Sequence, residues 1–143
     1  MAGLIPVTAA CILAAAQIQN IHPMNIVTIL KIEGGKVGEY SVNKNGSKDL
    51  GPMQINNKVW VPEIAKLHFQ GNEKVAEYTL MNDGCYNVHM GAWILRQNID
   101  WAGGNTIEGI GMYHSRTPKY KERYKSAFRK HFEDLFGNII KKD

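Results

Sequence analysis

Apolar residues recur at helical spacing along most of the chain, and the main interruption lies between Val37 and Leu50. Thr8 can cap a first helix reaching about Asn20, with Ala9, Ile12, Leu13, Ala16 and Ile18 as a loose apolar face. His22-Pro23 breaks it. Pro23 suits the first turn of a second helix, whose Ile26, Ile29, Leu30 and Ile32 recur up to Glu33, and Gly34-Gly35 ends it. From Val37 to Leu50 the residues become short, polar and β-compatible around Asn45-Gly46, which predicts a small antiparallel sheet.

Helical spacing resumes after Asn57 through Val59, Trp60, Ile64 and Leu67, with Pro62 tolerable in an early turn, and a further helix covers Glu73 to Met81. Asn82 or Asp83 can cap the next helix, in which Val88, Ala92, Leu95 and Ile99 step by four and three beside Trp93 and Ile94; it is predicted to be the most buried. Beyond Gly103-Gly104, Asn105 or Thr106 opens a short helix through Tyr113. Pro118 starts a last one, with Tyr120, Tyr124, Phe128, Phe132 and Leu135 as its apolar stripe. Lys119, Lys121, Arg123, Lys125, Arg129 and Lys130 are expected on its other sides. The pattern predicts a helix-dominated α+β fold in one domain over residues 1–143, its small sheet forming one wall of a cleft.

Composition narrows this only a little. A chain of 143 residues with 44% hydrophobic content can bury an ordinary core. A net charge of +4 favours anionic partners, among them cell-wall polymer, acidic lipid and nucleic acid. The basic last helix invites a nucleic-acid reading, but its aromatics are spaced as a core stripe and are not interleaved for base stacking, so no nucleic-acid partner is expected. No apolar run reaches the roughly 18 residues of a membrane span. Leu4 to Ala16 is apolar and rich in small residues, like a leader core, yet no Lys or Arg precedes it, and an uncleaved first helix is the preferred reading. If the protein is exported, its leader has been removed from this numbering.

Cys11 and Cys85 are either two buried thiols or, in an oxidising compartment, a bridge worth about 2–4 kcal/mol. Neither has the neighbours of a metal site, and His89, the nearest candidate to Cys85, has no second pair. Tyr40, Trp60 and Trp101 have ring faces that could stack on sugars, although packing is the plainer account of each.

The candidate chemistry lies at Glu33. Breaking a glycosidic bond requires a carboxylic acid that is still protonated near neutral pH. A Glu at the C-terminal end of an apolar helix has two influences in that direction, hydrophobic neighbours and the negative end of the helix dipole. Asp49, in a polar turn, fits a second carboxylate that stays ionised as nucleophile or stabiliser.

Glu33 followed by Asn43-Lys44-Asn45-Gly46-Ser47-Lys48-Asp49-Leu50-Gly51-Pro52-Met53-Gln54-Ile55-Asn56 closely resembles the active-site region of the lysozyme-like superfamily. Within it, the nearest likeness is to the bacterial lytic transglycosylases that accompany secretion and conjugation systems. Cys11 in the first helix, the segment from Cys85 to Leu95 and Gly111-Met112-Tyr113-His114-Ser115 agree in order and spacing. Gly34 stands where the family customarily has Ser, Pro52 where Leu is usual, and His114 where Asn is common.

The resemblance implies that Glu33 is general acid and then general base, that Ser41, Gln54, Asn56 and Tyr113 contact substrate, that Tyr113 sits near Glu33, and that Cys11 and Cys85 are bridged. It implies peptidoglycan strands as substrate, no metal and no cofactor, a periplasmic or secreted location, and components of a secretion or conjugation apparatus as further partners. Two chemistries stay open. Glu33 alone would give a 1,6-anhydro product, whereas Glu33 with Asp49 would give hydrolysis. A catalytically silent sugar-binding or assembly module is the rival from another class.

Overall fold

The computed structural model describes residues 3–140. Among them the helices are α1 (Ala9–Gln19), α2 (Pro23–Glu33), α3 (Asn57–His68), α4 (Glu73–Asn82), α5 (Gly84–Trp101), α6 (Thr106–His114) and α7 (Pro118–Ile140). The strands β1 (Tyr40–Val42), β2 (Lys48–Leu50) and β3 (Ile55–Asn56) pair in that order as an antiparallel sheet. This is the expected helix-dominated α+β fold. No helix among the described residues is long and apolar enough to cross a membrane.

The helix starts follow local chemistry. Asn56, Asn72 and Asn105 each accept the backbone N–H three residues on, at 3.2, 3.2 and 3.1 Å, and so cap α3, α4 and α6. Thr8 does the same for α1 through Cys11, and Asp83, rather than Asn82, caps α5 through the N–H of Tyr86. Ahead of α1 the chain is tied down by backbone bonds: Ile5 donates to Asn82 and accepts from Gly84. The segment that resembled a leader core is thus built into the fold as this strap and as α1, where Ala15 and Ala16 are buried.

The residues gather into two compact units. One takes in the chain up to Ile12 together with Glu33–Gly91, the other Leu13–Ile32 together with the chain from Ala92 onward. In the first, α3 and α4 pack on each other and on the sheet, around Leu50, Met53, Ile55, Ile64, Leu80 and Val88. In the second, α6 packs along α7, and the core holds Ile26, Ile29, Leu95, Ile99, Ile110 and Phe128.

Four expectations about faces need correction. Leu13 and Ile18 are exposed, because α1 turns its small Ala15–Ala16 side inward. Val59 and Leu67 are exposed on α3, where Val61, Ile64 and Ala65 are buried instead. On α7 the stripe is buried only at Tyr124 and Phe128, while Tyr120 and Leu135 are exposed. Lys125, assigned to the solvated side of α7, is buried, since its ammonium meets Glu108 and Glu122 and its stem lies against Gly111. Helical spacing names the faces of a helix but does not say which of them finds a partner.

Candidate active site

Glu33 is the last residue of α2 and is half-buried. Directly after it, Gly34 adopts φ 64°, the left-handed conformation that lets the chain leave a helix, and a Cβ there would meet nothing within 4 Å. Gly35 has the opposite surroundings. A Cβ on it would fall on the Gly51 carbonyl oxygen and within 2.7 Å of Gln54 Nε2. The missing side chain lets the turn after Glu33 lie directly on the Gly51–Gln54 loop.

That loop connects β2 to β3, and the sheet register lines up three of the expected site residues. Ser41 pairs with Asp49, and Asp49 pairs with Asn56, so the three form one row across the strands. Side chains in one such row share a face of the sheet. Asn56 Nδ2 donates to Asp49 Oδ1 at 3.0 Å and to Ser47 Oγ at 3.0 Å, while Asn56 Oδ1 caps α3. Ser47, buried at the foot of the turn, also accepts from Asn43 Nδ2 and donates to Asn45 Oδ1. The turn is therefore a polar lattice whose one acid, Asp49, is held by an amide.

Gln54 is itself in the left-handed region, at φ 54°. Its amide is used within the chain. Nε2 donates to the carbonyls of Gly51 at 3.0 Å and Asp49 at 3.3 Å, and Oε1 accepts from Ser41 Oγ at 2.8 Å. Both amide protons are engaged, so Gln54 acts as a strut between the loop and β1.

Beneath the loop stands a residue of the Cys85–Leu95 segment to which the sequence alone assigns no role. Asn87, fully buried on α5, donates to the carbonyls of Leu50 and Leu80, each at 2.9 Å, and accepts the N–H of Met53 at 2.8 Å. Its signal was available, as an amide in phase with the apolar positions of a buried helix. The start of the same helix is bridged to α1, because Cys11 and Cys85 form a disulfide with Cα atoms 5.5 Å apart.

Ser41, Asp49, Gln54 and Asn56 thus form one connected patch, against which the end of α2 is set. Tyr113 belongs to the second unit, half-buried near the end of α6. There His114 stacks on Tyr124 with ring centroids 5.0 Å apart, and Glu108 pairs with Lys121 and Lys125 of α7. Those pairings hold the Glu108 carboxyl down at about 2.

A model of the transglycosylase SLT domain matches residues 10–136. The chain belongs to this family. It is similar to the invasion protein IagB of Salmonella typhimurium, 32% identical over 134 residues that make up 90% of this chain and 79% of IagB. It is also similar to protein IpgF of Shigella flexneri, 31% identical over 130 residues, or 89% of this chain and 77% of IpgF. As an SLT transglycosylase, the protein is a lytic enzyme acting on peptidoglycan, with the lysozyme-like fold that its family implies. The rival reading of a silent module gives way to that membership.

Proposed function

We propose that the SLT transglycosylase cleaves the β-1,4 bond between N-acetylmuramic acid and N-acetylglucosamine with Glu33 as its one acid–base group, and releases 1,6-anhydro ends. The observation that carries this is the setting of Glu33, half-buried at the C-terminal end of α2 and followed by a turn laid on the Gly51–Gln54 loop. A helix C-terminus and partial desolvation both favour the neutral acid.

Glu33 gives its proton to the glycosidic oxygen as the bond to the muramic C1 breaks. The acetamido oxygen of the same sugar closes on C1 and takes up the positive charge. The Glu33 carboxylate then removes the proton of the muramic 6-hydroxyl, whose oxygen attacks C1 and displaces the acetamido oxygen, so that the bond between C1 and that oxygen breaks, the neutral N-acetyl group is restored and the acid is regenerated. Ser41 is assigned to hold the sugars, with Gln54 keeping it in place and Asn56, whose amide is likewise engaged, fixing Asp49 beside it; Tyr113 is assigned a substrate contact of its own. On this reading the whole chain works as one catalytic domain.

The alternative is hydrolysis with Asp49 as the second carboxylate, and the row of Ser41, Asp49 and Asn56 on one sheet face is what favours it. Mass analysis of muropeptides released from purified sacculi separates the two. Anhydro ends, unchanged in Asp49→Asn, support the single-acid route; reducing ends that disappear in Asp49→Asn overturn it. Glu33→Gln abolishes release on either route.

The disulfide favours an oxidising compartment, the periplasm or the exterior, and we assign the enzyme there. Because a similar protein bears the name invasion protein, local opening of the wall for a secretion apparatus is the role we propose. The check is whether a strain lacking the enzyme loses assembled apparatus while retaining normal growth.

A further inference from the structure

Trp101 ends α5 with 70% of its surface exposed, so the packing role expected for it does not hold. The Arg116 guanidinium lies over its ring, 4.8 Å from the centroid, and most of the indole is still open to solvent. Arg116 is steadied from below by the buried Asn98, whose Oδ1 accepts from Nη2 at 3.4 Å. Four residues on, Tyr120 is 47% exposed and carries Lys119 over its ring at 5.9 Å. The second unit therefore presents two open aromatic rings, each with a cation against it, and they are linked through Arg116, which covers Trp101 and precedes Tyr120 by four residues. The acid next to Trp101 does not cancel this charge, because Asp100 is taken up by Arg96 at 3.1 Å.

An exposed indole is costly to leave in water, and a single cation–π contact at an exposed site offsets only part of that cost. Rings of this kind stack on the apolar C–H faces of sugars, and adjacent cations pair with carboxylates. A peptidoglycan strand offers both at short intervals, through its sugar faces and the carboxylates of its lactyl and peptide groups. We propose that Trp101 and Arg116, with Tyr120 and Lys119 beside them, form a second glycan-binding site that holds the uncleaved strand without taking part in the chemistry. This rests on peptidoglycan being the substrate and is independent of which product Glu33 makes.

The test is co-sedimentation of the full chain with purified sacculi in the Glu33→Gln background, where the polymer is not digested. Trp101→Ala is expected to weaken binding roughly tenfold, Trp101→Phe to retain most of it, and Arg116→Ala to flatten its dependence on salt. In the chain that retains Glu33, Trp101→Ala is expected to leave kcat/KM on a short soluble muropeptide unchanged while raising KM on sacculi. Unchanged sedimentation of Trp101→Ala overturns the proposal and leaves the face to a protein partner. An equal loss on the soluble fragment and on sacculi also overturns it, since Trp101 would then serve the cleavage site itself. Loss of cleavage in Glu33→Gln reports on the proposed mechanism alone, whereas the sedimentation reports on this site.

Discussion

Asn87 Oδ1 accepts the backbone N–H of Met53 at 2.8 Å, across 34 positions of sequence. The same amide donates to the carbonyls of Leu50 and Leu80, so one buried side chain ties the loop under the site to both α4 and α5. Replacing it by Ala strands a buried donor and two buried acceptors. Each costs about 1–3 kcal/mol, so Asn87→Ala is expected to lose about 3 kcal/mol or more in urea unfolding, with cleavage of sacculi falling at temperatures where the variant is still folded. A loss below 1 kcal/mol would show that the loop does not depend on this amide.

Gly34 and Gly35 are neighbours with opposite tolerances. Gly34→Ser restores the residue customary in the family but places a side chain at φ 64°, at a cost of about 1 kcal/mol, with no clash to relieve. Activity is expected to survive. Gly35→Ala pushes a methyl onto the Gly51 carbonyl and Gln54, and is expected to cost about 1–3 kcal/mol and to lower kcat at least tenfold. If both variants behave alike in melting and turnover assays, the close approach at Gly35 is not what sets the α2 end against the loop.

The pairing of Glu108 with Lys125 and Lys121 carries a pH signature. Its carboxyl titrates at about 2 in the folded chain against an ordinary value of 4.5, because the two lysines hydrogen-bond its charged form. The stabilisation is therefore fully present above pH 4.5 and is lost as pH falls towards 2. Urea unfolding of the parent protein and of Glu108→Gln at a series of pH values should show a difference at pH 6 that shrinks steadily below 4.5. A difference independent of pH would mean that the ion pairs contribute nothing.

The disulfide closes a loop spanning 74 positions, for which chain entropy gives about 4 kcal/mol. The protein denatured without reductant should show no free thiol, and after reduction two. Cys11→Ala combined with Cys85→Ala should lower the denaturation midpoint accordingly. An unchanged midpoint would mean that the capped start of α1 stays on α5 without the bridge.

Much of the architecture was legible in residue order because its causes are local. Asn105 at the start of α6, Pro23 and Pro118, and Gly34 after Glu33 act through bonds and dihedrals within a few positions of themselves. The motif from Asn43 to Asn56 also reads locally, since Ser47 and Asn56 bond within their own turn and sheet. By itself, then, the sequence determined the elements, the family and the acid proposed to act. What only the tertiary structure decided was which helix faces are inside, and what spans long separations. Lys125 and Trp101 exchanged their expected places, and Asn87 emerged as the anchor of a loop 34 positions away. The reason is physical. Periodicity fixes where a side chain stands on its own helix, but burial and hydrogen bonding depend on what another segment brings to meet it.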